Sequence, residues 1–146
     1  MKYLTLVLSL FILVACNNNS QSPGTNMTDE FLPVEKAFQF SSKQLDSSTV
    51  QLNWVIAEDY HLYKNKFEFS LSPDTARIAD VNMPAGVMID DKTFGKQETY
   101  KNQVSIQLKI KPNNSEGPIK LVTKYQGCSI KGLCYPPEKR TTDISI

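Results

Sequence analysis

The sequence predicts an all-β protein, an antiparallel β-sandwich, on three observations. Hydrophobic residues alternate with polar ones over several short runs, as in strands that bury one face. Turn-forming stretches rich in proline, glycine, asparagine or aspartate separate these runs, at residues 72–74, 83–86 and 111–118. Only residues 34–40 have a pattern compatible with a short helical turn. Many short strands with frequent breaks are typical of a sandwich.

Length and composition fit a single folded domain. The chain has 146 residues, of which 40% are hydrophobic and 21% charged. Sixteen basic residues balance fifteen acidic ones, and this argues against a nucleic-acid-binding protein, which usually carries a basic surplus. The single histidine argues against a histidine-ligated metal site and an acid–base hydrolase. The three cysteines are left as the residues with the most distinctive chemistry.

Residues 1–15 have the features of a bacterial lipoprotein signal peptide. Lys2 precedes a 13-residue run without charge, shorter than the roughly 20 residues that span a bilayer and of secretory proportions. Residues 13–16, Leu-Val-Ala-Cys, resemble the lipobox of bacterial lipoproteins. The resemblance implies cleavage before Cys16 and lipidation of that residue, and two or more acyl chains give stable anchoring. A plain secretory signal with a chance cysteine is the alternative.

Residues 16–30 are predicted to be the lipid anchor and a flexible tether, because the segment has almost nothing to bury. A tether of this length spans roughly 20 Å on average. Asn17 follows the lipidated position, and under the Gram-negative sorting rule a residue other than aspartate there favours the outer membrane over the inner membrane. The domain is therefore expected to face the periplasm, an oxidising compartment where disulfides persist.

Residues 31–146 are predicted to form the folded domain, with strands wherever hydrophobic residues recur at every second position. Trp54 is expected in the core as the largest residue of its strand. The alternating positions are Val50, Leu52, Trp54 and Ile56; Phe67, Phe69 and Leu71; Val104, Ile106, Leu108 and Ile110; Ile119, Leu121, Thr123 and Tyr125; and Ile144 and Ile146.

Cys128 and Cys134 lie six positions apart, and Gly127 and Gly132 allow the chain between them to turn. One interpretation is a structural disulfide, but closing so short a loop stabilises a fold by only about 2 to 2.5 kcal/mol, against nearly 5 for a loop of 100 residues. A second is a metal site. Zinc sites pair cysteines two to four positions apart and need four ligands, whereas this chain adds only His61 to the two cysteines.

The third interpretation is a redox-active dithiol. A disulfide in a short, accessible loop exchanges easily, and Lys131 and Lys124 would favour a thiolate. Exchange proceeds by thiolate attack through a mixed disulfide, so that two cysteines within reach of each other serve as attacking and resolving groups. Spacing alone leaves this interpretation and the structural one open.

The sequence around these cysteines resembles the N-terminal periplasmic domain of DsbD, the thiol:disulfide interchange protein. Residues 125–128, Tyr-Gln-Gly-Cys, and 134–138, Cys-Tyr-Pro-Pro-Glu, look like the signature of that family. Further similar segments are Phe-Leu-Pro-Val at 31–34, Tyr-His-Leu-Tyr at 60–63 and Phe-Gly-Lys at 94–96. The resemblance covers residues 31 to 146.

The resemblance implies an immunoglobulin-like sandwich whose two cysteines form the active site. In that family the second cysteine forms the mixed disulfides, which assigns the attacking role to Cys134 and the resolving role to Cys128. The implied partners are thioredoxin-fold periplasmic proteins of the disulfide-isomerase or cytochrome-maturation type. No cofactor and no metal are expected.

The family also implies a cap loop that shields the disulfide with an aromatic residue, here at residues 90–95. Alignment on Gly-Lys at 95–96 puts Thr93 at the capping position and Phe94 one residue later. Either Phe94 shields the disulfide in a shifted register or the cap is looser. Asp90 and Asp91 are either a solvated pair or tune a thiol pKa.

Three tyrosines and the single histidine are further residues of interest. Tyr60, Tyr63 and Tyr135 are predicted either to line the cysteine site or to pack in the domain. His61 is interpreted as a structural or exposed residue and not as a base.

DsbD continues into a membrane domain and a thioredoxin-like domain, which this sequence does not contain. A separate membrane electron donor is therefore expected, and the direction of exchange stays open. The resulting prediction is a thiol:disulfide interchange protein of protein-disulfide reductase type. The alternatives are a lipid-anchored binding or assembly module with a purely structural disulfide, and a metal-delivery protein.

Overall fold

The computed structural model describes residues 30–73, 76–113 and 118–145. Within these ranges it contains a four-residue α-helix, a short 3-10 helix at Lys64–Lys66 and eleven strands. The helix α1 is Val34–Ala37, and the strands are β1 Phe38–Gln44, β2 Thr49–Ile56, β3 Tyr60–Tyr63, β4 Glu68–Ser72, β5 Ala76–Asn82, β6 Val87–Asp91, β7 Gly95–Tyr100, β8 Gln103–Pro112, β9 Pro118–Tyr125, β10 Gly127–Ser129 and β11 Glu138–Ser145.

The strands form three sheets with the orders β1-β2-β8-β5, β10-β3-β7-β6 and β11-β9-β4. Every strand pairing is antiparallel. In β8, buried and exposed residues alternate from Gln103 to Ile110, so one face of the strand lies in the core and the other in solvent. The predicted all-β antiparallel architecture is confirmed.

Trp54 is at the centre of the core, as predicted, with 1% of its surface exposed. Its ring centroid lies 5.1 Å from that of Phe40, 5.0 Å from Phe67 and 5.4 Å from Tyr125. Edge-on and tilted contacts of this kind are the favoured arrangements of aromatic rings. Because these residues come from β1, β2, β9 and the segment before β4, the aromatic cluster joins two of the sheets.

The structure differs from the predicted elements in three places. The helical turn ends at Ala37, because Phe38 begins β1 and pairs with Ile56. Strands β5 and β6 lack a clear alternation of hydrophobic residues, and most of their residues are exposed. The last strand begins at Glu138, well before the terminal isoleucines that predicted it.

The short strand β10 positions the first cysteine of the pair. Gly127 and Cys128 pair with Leu62 and His61 of β3, respectively. A Cβ atom on Gly127 would lie 2.4 Å from the ring of Phe38 and 2.5 Å from the backbone oxygen of His61. These distances are too short for any side chain, so only glycine lets β10 approach β3 this closely.

We expect Gly127→Ala to lower the free energy of unfolding by about 1–3 kcal/mol, the usual penalty for overpacking a core. The clash falls on the β3–β10 pairing and should therefore also disturb the geometry of Cys128. Urea denaturation of the oxidised protein measures the loss. The control is Gly132→Ala, at a loop position with φ of +101° where a Cβ meets nothing within 4 Å, so only backbone strain is added. A Gly127→Ala chain as stable as the wild type would contradict the packing argument.

The predicted signal peptide and most of the predicted tether fall on residues 1–29, outside the residues that the structure describes. In the described ranges, no helix is long and apolar enough to cross a bilayer.

Candidate active site

Cys128 and Cys134 form a disulfide across a narrow loop, with their Cα atoms 4.0 Å apart. The two residues face each other in an antiparallel bridge. Backbone hydrogen bonds flank the bridge on both sides, from Ser129 N to Leu133 O at 2.8 Å and from Tyr135 N to Gly127 O at 3.0 Å. The cysteines thus occupy a non-hydrogen-bonded antiparallel pair, in which opposing residues come closest.

The two sulfur-bearing residues differ in exposure. Cys128 is 1% exposed, whereas Cys134 is half-buried. The loop between them carries exposed apolar residues, Ile130 at 57% and Leu133 at 37%. The sequence-based expectation of an accessible loop is therefore correct for the loop tip and for Cys134 but wrong for Cys128. Cys134 is therefore the more exposed of the two cysteines.

A cleft of about 260 Å³ opens beside the disulfide. Its walls come from β3, from the end of β6 with the cap loop, and from the cysteine loop. The lining residues are His61, Ile89, Asp90, Asp91, Lys92, Thr93, Lys101, Cys128, Ser129, Ile130, Gly132 and Cys134. The structure therefore brings both cysteines together with Asp90, Asp91 and Thr93 of the predicted site.

Asp91 connects the cap loop to the residues beneath the disulfide. Its Oδ1 accepts hydrogen bonds from the backbone N–H groups of Thr93 at 2.8 Å and Phe94 at 2.9 Å. Its Oδ2 accepts one from the hydroxyl of Tyr63 at 2.8 Å. That hydroxyl oxygen also lies 3.1 Å from Sγ of Cys128. One carboxylate thus fixes both the turn of the cap loop and the tyrosine that touches the buried sulfur.

The same contacts set the ionisation of Asp91 and Tyr63. Burial raises the pKa of Asp91, but the hydrogen bonds from Phe94, Tyr63 and Thr93, with His61 nearby, outweigh it and leave the pKa below its ordinary value of 3.8. Burial raises the pKa of Tyr63 far above its ordinary value, and Asp91 raises it further. At neutral pH, Asp91 is therefore a carboxylate and Tyr63 a neutral hydrogen-bond donor.

Within the cap loop, Thr93 and Phe94 take different positions. Thr93 lines the cleft with the cysteines. The Phe94 ring packs edge-on against Tyr63, with centroids 5.2 Å apart, and Nζ of Lys66 lies over the Phe94 ring, 5.0 Å from its centroid. Phe94 is 37% exposed. Phe94 therefore packs against the tyrosine that contacts Cys128, and Thr93 is the residue of this pair that lines the cleft.

Of the three tyrosines predicted near the site, Tyr63 is the one whose hydroxyl hydrogen-bonds to a cysteine sulfur among the described residues. Tyr60 and Tyr135 bind the backbone of Leu32 instead: the Leu32 N–H donates to the hydroxyl of Tyr60 at 2.8 Å, and the hydroxyl of Tyr135 donates to the Leu32 carbonyl. They anchor the start of the domain beside the cysteine loop, which agrees with the packing alternative. Cys16 lies outside the described residues.

The lysines expected to favour a thiolate are not the ones in the cleft. Lys124 binds Glu68 at 3.3 Å, and Lys131 lies on the outer side of the loop among residues of another pocket. The cleft is lined instead by Lys92 and Lys101. Spacing along the chain did not predict these positions, because β6 and β7 reach the cysteines only through the sheet order.

His61 was not predicted as a site residue. Its side chain is buried, so the exposed alternative is wrong, and its ring lines the cleft beside both cysteines. The signal that was available is its position two residues before Tyr63 in a strand. Within the described residues, no group of three or more histidine, cysteine, aspartate or glutamate side chains is arranged to hold a metal ion.

The fold and site together define a class: a small immunoglobulin-like sandwich that presents a two-cysteine centre beside a capped cleft. The sequence model of the family described as "Thiol:disulfide interchange protein DsbD, N-terminal" matches residues 28–146. The chain belongs to this family.

Two full-length relatives are similar to this chain over more than nine tenths of its length. The chain is 39% identical over 98% of its length to thiol:disulfide interchange protein DsbD 1 of Pseudomonas aeruginosa and 33% identical over 92% to DsbD of Escherichia coli strain K12. It spans about a quarter of the length of these relatives, 25% and 23% respectively.

Two solved structures are similar to the described fold. The crystal structure of the reduced Neisseria meningitidis DsbD N-terminal domain has a TM-score of 0.71 and 31% identity, covering 80% of this chain and 91% of that one. A complex between the DsbD N-terminal and PilB N-terminal domains of Neisseria meningitidis gives 0.61 and 29%, covering 78% and 87%.

Proposed function

We propose that this domain exchanges disulfides with thioredoxin-fold protein partners through Cys128 and Cys134. The observation that carries the proposal is the unequal exposure of the pair. Cys134 is half-buried at the mouth of a cleft, while Cys128 is buried behind it against Tyr63. Exchange needs one sulfur that a partner can reach and a second that resolves the mixed disulfide.

The proposed reaction begins when a partner thiolate attacks Sγ of Cys134. A bond forms between the two sulfurs, the Cys128–Cys134 bond breaks, and the electron pair leaves on Cys128. A second partner thiolate then attacks the partner sulfur of the mixed disulfide and releases Cys134. The domain ends as a dithiol and the partner as a disulfide, and the reverse sequence passes the two electrons onward.

The surface around Cys134 supports docking of a protein partner. Ile130 and Leu133 are exposed apolar residues within the cysteine loop, and exposed apolar groups beside a reactive group favour protein contacts. A similar DsbD N-terminal domain forms a complex with the PilB N-terminal domain. We propose partners of the disulfide-isomerase or cytochrome-maturation type, with a membrane protein as electron donor.

Lipidation at Cys16 would place this reaction at a membrane surface in the periplasm. The lipobox-like sequence at 13–16 and the polar segment after it support a lipid-anchored domain on a flexible tether. The outer membrane is the proposed site, with the inner membrane as the alternative. Labelling with a fatty-acid analogue, compared between the wild type and Cys16→Ser, tests the anchor.

The reduction potential of the Cys128–Cys134 disulfide tests the proposed exchange. We expect a value between about −270 and −120 mV, the range of thioredoxin-fold exchange proteins, because a relay must lie between its donor and its acceptor. Equilibration with a series of glutathione mixtures measures it. A value below about −300 mV indicates a structural bond and would favour the alternative of a non-catalytic binding or assembly module.

A further inference from the structure

His61 lies beside the disulfide, and the exchange steps described above do not use it. It is the strand partner of Cys128 across the β3–β10 pairing. Only 2% of the residue is exposed, yet its side chain forms part of the cleft wall together with both cysteines. The one histidine of the chain is thus held next to the buried sulfur.

Neither ring nitrogen of His61 has a hydrogen-bond partner among the described residues. Oδ2 of Asp91 lies 3.7 Å from Nε2, which is beyond hydrogen-bond distance. Buried polar groups are nearly always paired, and an unpaired one in a native structure calls for an explanation such as a catalytic role. A hydrogen-bonding group that reaches the imidazole only in another state of the site would supply that explanation.

Charged and titratable groups surround the imidazole from four directions. Asp91 approaches from β6, Lys101 follows β7, Cys128 faces it from β10, and Tyr63 of the same strand packs edge-on with centroids 4.9 Å apart. Two further residues of the cap side, Asp90 and Lys92, line the same cleft.

These surroundings keep the imidazole neutral while the disulfide is closed. Burial lowers the pKa of His61 below its ordinary value of 6.5, and Lys101 lowers it further, against the opposing effect of Asp91. A closed disulfide carries no charge that would reverse this balance.

Opening the bond changes the charge next to His61. In the proposed exchange the electron pair goes to Cys128, which is 1% exposed. A buried negative charge is unfavourable unless an opposite charge or hydrogen bonds balance it. Tyr63 is one hydrogen-bond donor within reach of this sulfur, but its hydroxyl is already bound to Asp91. His61 is the titratable group on the paired strand that is able to gain a positive charge near neutral pH.

We propose that His61 is a positioning residue for the Cys128 thiolate: its imidazole takes up a proton when the Cys128–Cys134 bond opens and releases it when the bond closes. The inference rests on the proposed function, in which opening this bond is the central step. It adds a charge-compensating group that makes the buried sulfur a better leaving group.

The protons and electrons of this step balance. A partner dithiol gives up two electrons and two protons and becomes a disulfide. The domain takes up the two electrons in its sulfurs. One proton ends on Cys134 and the other on His61, so the reduced domain holds one thiol and one thiolate–imidazolium pair. The protons pass through solvent in the cleft, which is open to it.

The test is an NMR titration of the Hε1 resonance of His61 in the untagged full chain, where it is the single histidine. Spectra are recorded against pH for the oxidised protein and for protein reduced with dithiothreitol. We expect the proton affinity of His61 to rise at least tenfold on reduction. A rise of less than threefold, or a decrease, overturns the proposal, and any larger rise supports it. This arm uses only the wild-type chain and does not depend on a variant that folds.

The reciprocal effect is tested with His61→Gln, since linkage requires that each group shift the other by the same factor. The pH dependence of Cys128 alkylation, followed by mass spectrometry of the reduced chain, gives the thiol pKa. We expect the acid dissociation constant of Cys128 to fall in His61→Gln. The expected factor is the one by which the proton affinity of His61 rises on reduction of the wild type. An unchanged Cys128 pKa overturns the proposal.

The outcomes for function and for His61 are separable. If the wild type exchanges disulfides with a partner but the pKa of His61 does not change with the redox state, the role of His61 is rejected and the proposed function is left intact. A redox-linked shift with dithiothreitol in a domain that traps no protein partner rejects the proposed function alone.

Discussion

A Cys128→Ser chain is expected to accumulate protein partners in stable mixed disulfides at Cys134, whereas a Cys134→Ser chain is expected to lose exchange altogether. Cys134 is half-buried beside the cleft and Cys128 is 1% exposed, so in the proposed exchange Cys134 accepts the first attack and Cys128 acts as the resolving sulfur. Removing the resolving sulfur leaves the mixed disulfide without its intramolecular route of release. Removing the exposed sulfur leaves a thiol that partners cannot reach.

Non-reducing electrophoresis of extracts from cells that express each variant, followed by mass spectrometry, measures the trapped species. The double variant Cys128→Ser/Cys134→Ser is the control for disulfides formed elsewhere. Circular dichroism shows whether each variant retains the sandwich. Trapping by Cys134→Ser and none by Cys128→Ser would reverse the assigned roles, and trapping by neither would contradict exchange.

Asp91→Ala is expected to speed reduction of the disulfide by about tenfold. The substitution removes the acceptor that holds Thr93 and Phe94 of the cap loop and the hydroxyl of Tyr63. Hydrogen bonds to a charged group contribute about 1.5–3 kcal/mol. Loss of the lower amount makes the fraction of molecules with an open cap loop about tenfold larger. The rate of reduction by tris(2-carboxyethyl)phosphine under pseudo-first-order conditions measures the effect.

The matched control is Asp46→Ala. Asp46 is an aspartate in another turn, where it accepts hydrogen bonds from the N–H of Ser48 at 2.7 Å and from its hydroxyl at 2.9 Å. That turn joins β1 to β2 and lies outside the cleft, so the rate of reduction should stay at the wild-type value. Equal rates for the wild type and Asp91→Ala would show that the carboxylate does not hold the cap closed.

The protection given by Asp91 has a defined pH dependence. Its pKa lies below the ordinary value of 3.8 in the folded protein, so its contribution is fully present above that value and is lost as the pH falls through the lowered pKa. The wild type should therefore stay slow to reduce at pH 5 and above and approach the Asp91→Ala rate in stronger acid. If the difference in reduction rate between the wild type and Asp91→Ala did not become smaller in acid, the effect would come from the shape of the Asp91 side chain and not from its charge.

The sequence predicts those parts of the fold in which periodicity and burial coincide. Strands β2, β8 and β9 each carry alternating hydrophobic residues that meet at Trp54 and its neighbours, and their prediction is confirmed. Strands β5 and β6 form sheet edges with mostly exposed residues. An edge strand is held by backbone hydrogen bonds to one neighbour, and such bonds leave little trace in the pattern of side chains.

The residues of the candidate site also fall into two groups, those that the sequence predicts and those whose position depends on the order of the strands. The spacing of Cys128 and Cys134 and the motif around them indicated a two-cysteine centre, because both residues lie in one short segment. The contributions of His61 and Asp91 depend on the order β10-β3-β7-β6, which brings distant segments of the chain to one cleft. A single sequence carries no direct signal for that order. Asp91 was recognised only as a candidate, and its three hydrogen bonds follow from the turn at the end of β6.

The backbone hydrogen bonds on both sides of the cysteine pair have a kinetic consequence. Because Ser129 binds Leu133 and Tyr135 binds Gly127 through main-chain atoms, these hydrogen bonds do not require the sulfur–sulfur bond, and we expect Cys128 to remain opposite Cys134 when that bond is open. A group held in this way acts at an effective molarity far above the concentration of free thiols in solution. In the proposed exchange, Cys128 is therefore expected to expel a bound monothiol before a second molecule arrives, whereas a dithiol completes the reaction with its own neighbouring sulfur. We therefore expect the loop geometry to favour partners that carry two thiols.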